Sequence, residues 1–226
     1  MFSLDQVVPW GRSFDEYRRM FALTDDDLNR TILGCGDGPA GFNALASARG
    51  CRVVSCDPIY AFTRCEITAR IEATSDQVLE QTRANARTFV WNDAIPTVEA
   101  LGIIRMQAMS VFLEDFDAGK AEGRYVEGAL PRLPFADRAF DLALCSHFLF
   151  LYTSQLGEAF HLEAVRELCR VAAEVRIFPL LDLDGQRSAY VAPCLSWLAH
   201  SGRAARCERV PYEFQRGGDE MLRIPV

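Results

Sequence analysis

The chain has 226 residues, half of them apolar and 11% aromatic. This length and composition fit one globular α/β unit and exclude a disordered chain. A formal net charge of −7 argues against a broad nucleic-acid-binding face, because such a face needs clustered Lys and Arg. We expect a single domain over residues 1–226, with a helical cap at 1–30 and a helical insertion at 60–122.

Signals for export, membrane insertion and structural metals are missing from the sequence. The start of the chain has no basic leader followed by an apolar run, and no stretch approaches the roughly 18 apolar residues of a membrane span. The eight cysteines form no CxxC pair and no cysteine–histidine cluster with zinc spacing. The sequence therefore predicts a cytoplasmic protein with reduced cysteines, no membrane segment and no metal site.

The first predicted element is an amphipathic helix over residues 12–23, with Phe14, Tyr17 and Phe21 on its apolar side. Thr24 and the three aspartates that follow it predict a helix cap before a short turn.

A βαβ unit follows the N-terminal helix. It consists of a buried strand at 31–35, a glycine-rich loop at 36–41, a helix at 41–49 and a second strand at 51–56 that ends at Asp57. The glycines allow close approach of a ligand to the backbone, and the following helix N-terminus favours a negative group. Asp57 at the second strand end is placed to accept hydrogen bonds from ribose hydroxyls. These features predict a nucleoside-binding crevice.

The next 65 residues interrupt the α/β alternation. Residues 62–89 are polar and helix-favouring, and residues 97–118 carry apolar side chains at helical spacing. We interpret them as an inserted pair of helices. Together with the helix at 12–23, this pair is the expected wall of an acceptor pocket, and its action as a lid is a hypothesis.

The alternation then resumes and ends in two strands. The predicted elements are strands at 124–127, 140–146 and 174–181, helices at 156–171 and 188–200, and final strands at 205–214 and 220–224. Glycines within 215–219 supply the positive φ of a hairpin turn. The predicted fold is doubly wound α/β: a Rossmann-like seven-stranded sheet, mostly parallel, with an antiparallel C-terminal hairpin and the inserted helical segment.

Two kinds of cofactor site are compatible with the glycine loop taken alone. Residues 36–41 formally match GxGxxG, which indicates a nicotinamide- or flavin-dependent oxidoreductase. The match is poor, because Pro39 lies inside the loop and Gly34 occupies a position where a dinucleotide fold favours an apolar residue.

The segments ILGCGDGPA and VVSCDP resemble the first two motifs of the class I methyltransferases that use S-adenosylmethionine, with Gly36, Gly38 and Ala40 at the three small positions. Residues 123–152 resemble the third and fourth strands of that family, and the chain is similar to a bacterial branch of it. The resemblance implies S-adenosylmethionine as the cofactor and S-adenosylhomocysteine as its product. It also implies a set of cofactor-binding residues: Gly34, Cys35, Gly36, Asp37, Gly38, Asp57, Pro58, Ala129, Leu130 and Ser146.

Two residues depart from the family pattern. Gly34 stands where an acidic residue usually helps to anchor the methionine ammonium through water. Ala129 stands where an Asp frequently contacts the adenine amine, so backbone groups near Ala129 and Leu130 are expected to read the adenine edge.

Few residues offer acid–base chemistry at the expected site. His147 follows the fourth strand, where a neutral imidazole can take a proton from an acceptor, and it is the candidate catalytic residue; the alternative is that it hydrogen-bonds the backbone and positions a loop. His161 is expected to be structural. Tyr17 and Arg18 are candidates to cover the cofactor, but the sequence favours a helix with ordinary surface and core contacts. The predicted function is methyl transfer to an unidentified small molecule. The alternatives are the oxidoreductase and a non-catalytic module that binds adenosyl ligands, and the sequence leaves the oligomeric state open.

Overall fold

The computed structural model describes residues 8–226, in which seven strands form one sheet with the order β3-β2-β1-β4-β5-β7-β6. The strands are β1 (Thr31–Cys35), β2 (Arg52–Cys56), β3 (Tyr125–Val126), β4 (Leu142–Ser146), β5 (Glu174–Phe178), β6 (Arg206–Arg209) and β7 (Glu220–Pro225). The first five are mutually parallel, and β7 is antiparallel to both of its neighbours. The predicted fold class is confirmed.

Helices cover both faces of this sheet. They are α1 (Phe14–Met20), α2 (Asp25–Leu28), α3 (Phe42–Ser47), α4 (Arg64–Ala84), α5 (Val98–Ala121), α6 (Glu158–Val171) and α7 (Val191–His200). Short 3-10 helices occupy Pro58–Ala61 and Ala86–Thr88. Within residues 8–226, none of these helices is both long and apolar enough to cross a lipid bilayer.

The alternation of side chains along each strand produces two cores. Leu33 and Cys145 point to the face covered by α6 and α7, whereas Ile32 and Leu144 point to the face covered by α1 and α3. All five residues of β4 are buried, as expected for a central parallel strand with helices on both sides.

The N-terminal segment begins with a helix that is shorter than predicted. The helix predicted at 12–23 spans Phe14–Met20, because Ser13 caps it in a capping box with Glu16. The helix cap predicted at Thr24 is confirmed: Thr24 and Asp27 form a second capping box, which begins the short helix α2.

The C-terminal hairpin is present, but its first strand is shorter than predicted. The strand predicted at 205–214 ends at Arg209, shortly before Pro211, and the connection to β7 is longer than the predicted turn. Gly217 has the expected positive φ of 80°. The strand predicted at 174–181 ends at Phe178, because Pro179 has no N–H to continue the ladder.

Two long helices occupy the region of the predicted insertion. Thr63 and Glu66 form a capping box that begins α4, and Thr97 caps α5. The buried face of α5 packs against α3 and α4. Of the two helices, α4 borders the open end of the sheet and forms a wall there. Helix α5 packs behind it and supports it.

Candidate active site

A cavity of about 590 Å³ opens at the carboxyl ends of β1, β2 and β4, and the N-terminal segment and α4 complete its walls. Every residue predicted to bind cofactor lines this cavity except Gly34, and so does the candidate base. The predicted residues on the wall are Cys35, Gly36, Asp37, Gly38, Asp57, Pro58, Ala129, Leu130, Ser146 and His147. The fold therefore brings together side chains from four separate stretches of the chain.

Asp57 joins the glycine loop to the end of β2. Its Oδ2 accepts a hydrogen bond from the Gly38 N–H at 2.8 Å, and its Oδ1 accepts one from the Ile59 N–H at 2.8 Å. Tyr60 donates its hydroxyl to the Gly38 carbonyl at 2.7 Å. Burial raises the pKa of Asp57 to about 6, against the opposing effect of the two N–H donors. The loop and the carboxylate thus face each other across the cavity edge.

The loop itself depends on glycine backbone conformations. Gly36 and Gly38 have φ values of +68° and +53°, in the left-handed region that favours glycine. A Cβ on Gly38 would meet no atom within 4 Å, so the space beside it is open to a ligand. A Cβ on Gly36 would lie 3.1 Å from the Phe148 ring, which packs closely beneath the turn.

The side chain of Asp37 occupies the space above Gly34. A Cβ at Gly34 would lie only 1.8 Å from Asp37 Oδ2, so a larger residue at position 34 excludes this placement. Asp37 accepts hydrogen bonds from Tyr17 OH and Ser55 Oγ, each at 2.7 Å. Burial raises its pKa to about 6, although both hydroxyl donors act in the opposite direction. The acid that position 34 lacks is thus present at the same end of β1, carried by residue 37.

The opposite side of the cavity is formed by a tight turn after β3. The Arg132 N–H donates to the Ala129 carbonyl at 3.1 Å, and this bond closes the turn that contains Leu130. A Cβ on Gly128 would lie 2.7 Å from Cys56 Sγ, so the chain passes close to the end of β2. The turn therefore lies close to the end of β2, on the side of the cavity where we expect the adenine edge to bind.

His147 lies in an unusual backbone conformation at the end of β4. Its φ is +50°, which is uncommon for a residue with a side chain and occurs often at functional sites. Its N–H donates to the Phe178 carbonyl at 2.7 Å, and its Nδ1 lies 3.0 Å from Ser146 Oγ. Burial, followed by the positive charges of Arg12 and Arg105, lowers the pKa of His147 well below 6.5. The imidazole is therefore neutral at pH 7.

The chain is similar in sequence, over nearly its full length, to an archaeal protein. It is 34% identical over 223 residues to the uncharacterised protein MJ0045 of Methanocaldococcus jannaschii, covering 98% of this chain and 97% of that one. The chain belongs to the MJ0045 family. No family model matches it. The archaeal source of MJ0045 leaves the bacterial branch as a prediction only.

Two solved structures that are similar to this MJ0045-family chain are named as methyltransferases. A putative S-adenosyl-L-methionine-dependent methyltransferase from Methanococcus maripaludis has a TM-score of 0.47 and 12% identity, covering 93% of this chain and 82% of that one. An S-adenosylmethionine-dependent methyltransferase from Aquifex aeolicus has a TM-score of 0.40 and 14% identity, covering 87% and 80%. The fold assignment rests on the strand order and the strand directions described above.

Several cavity residues of this MJ0045-family member have no signal in the sequence. Arg12 precedes the Ser13 cap and lines the cavity, and nothing in the sequence marks it as different from other arginines. Tyr17 does cover the site, through its bond to Asp37. Arg18 does not, because it pairs with Asp25 on the surface at 2.9 Å. The remaining wall is largely apolar and includes Val8, Trp10, Phe62, Leu151, Tyr152 and Leu183.

His161 is buried away from the cavity wall. Its Nε2 lies 2.8 Å from the Leu149 carbonyl and its Nδ1 lies 2.9 Å from the Gly157 carbonyl, so the ring ties α6 to the loop after β4. This is the placement of a structural histidine. Across residues 8–226, no group of three or more His, Cys, Asp or Glu side chains has the geometry to hold a metal ion.

Proposed function

We propose that this chain transfers a methyl group from S-adenosylmethionine to a small acceptor, as a single-domain cytoplasmic enzyme. The observation that carries the proposal is the 2.8 Å bond between the Gly38 N–H and Asp57 Oδ2, which brings the glycine loop and the strand-end carboxylate to one open cavity. The antiparallel β7 between β5 and β6 supports it further, because the nicotinamide-binding alternative has the strand order 3-2-1-4-5-6, without a strand inserted at that position.

The residues present fit an adenosyl ligand with an amino-acid tail. An ionised carboxylate has about four lone-pair positions, and Asp57 uses two of them for backbone donors, which leaves two for the ribose hydroxyls. Asp37 would hold the ammonium in place of the acid missing at Gly34. The turn at Ala129 and Leu130 would hold the adenine. When bound, the cofactor supplies a methyl carbon activated by the positive charge of its sulfur.

The chain's own contribution is alignment, exclusion of water and removal of one proton. The apolar wall around Trp10, Phe62 and Tyr152 would keep water from the reacting atoms and orient the acceptor. The cavity would hold the acceptor's nucleophilic atom toward the methyl group that the bound cofactor would supply. The acceptor's proton goes to the neutral ring of His147, whose Nδ1 is engaged by Ser146.

Calorimetric titration with S-adenosylmethionine, S-adenosylhomocysteine and NADPH tests this proposal. We expect both adenosyl sulfur compounds to bind and NADPH to give no heat of binding. Binding of NADPH alone contradicts the proposal. Adenosyl binding without methyl transfer to any member of a broad acceptor panel favours the non-catalytic module.

The Asp57→Ala variant addresses the ribose contact. We expect the loss of charged hydrogen bonds to weaken S-adenosylhomocysteine binding by roughly 1–3 kcal/mol, measured by calorimetry. Asp93→Ala is the matched control, because Asp93 is exposed and lies outside the cavity wall. Equal affinity of the Asp57→Ala variant and the parent protein would show that the ribose binds elsewhere.

The His147→Asn variant addresses proton removal. Once the panel identifies an acceptor, we expect kcat to fall by about 10²–10⁴-fold while the Kd for S-adenosylhomocysteine stays within twofold of the parent value. A fall in kcat that disappears with an acceptor already deprotonated in solution supports the role of a base. An unchanged kcat refutes it.

A further inference from the structure

Arg12 stands apart from the residues that the proposed function uses. It lines the cavity beside the N-terminal segment, and its Nη1 donates to the Trp10 carbonyl. Its Nε is fully buried and has no hydrogen-bond partner within residues 8–226. Leaving a buried donor of a charged group unpaired is costly in an isolated protein, so this side chain is short of an acceptor.

The charge of Arg12 is also not neutralised by its neighbours. Glu16 is the carboxylate near it, but Glu16 accepts hydrogen bonds from Arg105 Nη1, from Tyr212 OH at 2.9 Å and from the Ser13 N–H at 2.9 Å. Arg12 forms no ion pair within 4 Å in the described part of the chain. The guanidinium groups of Arg12 and Arg105 carry two positive charges, whereas the Glu16 carboxylate carries one negative charge. These three side chains together therefore have a net charge of +1.

The effect of this imbalance is visible in the protonation of Arg12. Burial, followed by the repulsion from Arg105, lowers its pKa to about 10, against the weaker attraction of Glu16. At neutral pH the guanidinium is nevertheless fully charged.

The two carboxylates on the cavity wall, Asp37 and Asp57, form no ion pair with Arg12 within 4 Å in the described residues and instead accept hydrogen bonds from other donors. The other nearby groups carry no negative charge, because burial raises the pKa of Tyr17 well above 10 and His147 is neutral.

We propose that Arg12 forms a carboxylate-binding subsite in the cavity. A carboxylate carries the one negative charge that the group lacks, and its two oxygens match the planar guanidinium fork. The carboxylate has two possible sources, the amino-acid tail of the cofactor or the methyl acceptor; naming these sources rests on the proposed function, whereas the subsite does not.

The experiment compares the parent protein with Arg12→Met, Arg12→Lys and the control Arg209→Met, which removes an exposed guanidinium on β6 far from the cavity wall. Calorimetry measures the affinities for S-adenosylhomocysteine and for methylthioadenosine, an adenosyl thioether without the amino-acid tail. Ligand-observed NMR measures the affinities of benzoate and of benzamide, both with and without saturating S-adenosylhomocysteine.

Each source gives its own pattern. If the cofactor supplies the carboxylate, Arg12→Met weakens S-adenosylhomocysteine at least tenfold and methylthioadenosine less than twofold. If the acceptor supplies it, cofactor affinity is unchanged, and the parent's preference for benzoate over benzamide is lost in Arg12→Met and largely kept in Arg12→Lys. Failure of the parent to bind any adenosyl compound refutes the proposed function, while a benzoate preference that depends on Arg12 still supports the subsite.

Thermal unfolding of the free proteins separates recognition from packing. Because Arg12→Met removes an unpaired charge, we expect its Tm to equal or exceed that of the parent. The proposal is overturned if Arg12→Met leaves both the ratio of the two adenosyl affinities and the ratio of benzoate to benzamide unchanged. A Tm lowered by several degrees together with unchanged ratios would assign Arg12 to the structure alone.

Discussion

Arg176 and Arg12 are both drawn into the interior, but only one of them is satisfied by the protein. Arg176 donates to both oxygens of Asp27, at 2.8 and 3.1 Å, and to the Phe21 carbonyl and Glu174 Oε1. Arg12 donates to one backbone carbonyl and keeps a buried Nε without a partner in residues 8–226. The protein therefore contains one completed charge cluster on β5 and one incomplete cluster beside the cavity.

The same contrast applies to the buried acids. Hydrogen bonds from Arg176 and Thr24 outweigh desolvation and lower the pKa of Asp27 to about 2. Asp37 has only hydroxyl partners, so burial raises its pKa to about 6. A charge that is fully paired fixes the fold locally, whereas a charge left short of partners at a cavity is available to a ligand. The incomplete cluster lies at the cavity, and the complete one does not.

The largest effect is expected from breaking the completed cluster. Asp27→Ala leaves Arg176 buried without its bidentate partner and removes the capping box of α2, so we expect a loss of about 3–5 kcal/mol in the free energy of unfolding. Urea denaturation measures it. Because α2 lies outside the cavity wall, the affinity for S-adenosylhomocysteine should stay the same in protein that remains folded.

Asp25→Ala is the control for this measurement, since Asp25 is exposed and its partner Arg18 is on the surface. We expect a change of under about 1 kcal/mol for such a surface pair. If Asp27→Ala lowers the free energy of unfolding no more than Asp25→Ala does, the ion pair between Arg176 and Asp27 does not stabilise the fold. Arg176 would then not differ from Arg12 in the way described.

The sequence predicts the parallel strands and one side of the cavity well, for a physical reason. Thr31–Cys35 and Arg52–Cys56 are nearly the predicted strands, because buried apolar runs and the glycines between them are local signals. Asp57 was placed at the cavity by the same reasoning, since the carboxyl ends of parallel strands meet at one sheet edge.

Contacts that join distant parts of the chain were beyond the sequence. Asp37 supplies the acid that position 34 lacks, because a turn folds the side chain of residue 37 back over Gly34. The isolation of Arg12 depends on Arg105 taking Glu16, 89 residues away along the chain. Neither pattern has a periodicity or a motif, because both arise from which charged groups pair after the helices have packed.

The smallest expected effect on stability comes from the ionisation of Asp37. It tests whether Asp37 is less completely paired than Asp27. The folded-state pKa of about 6 lies above the ordinary value of 3.8, so the folded protein binds this proton more tightly than the unfolded chain does. The stability contributed by Asp37 therefore falls as the pH rises from about 4 to about 6. Asp37→Asn cannot ionise and should escape that loss.

The measurable quantity is the difference in unfolding free energy between Asp37→Asn and the parent, at about pH 5 and about pH 7.5. We expect this difference to move in favour of the variant at the higher pH by on the order of 1 kcal/mol. His147 and His161, whose pKa values are lowered by burial, titrate in both proteins and cancel in the comparison. Asp27 keeps its low pKa and is ionised throughout this range. A difference that does not vary with pH would mean that Asp37 is as well paired as Asp27 and that its carboxylate is not available to an ammonium group.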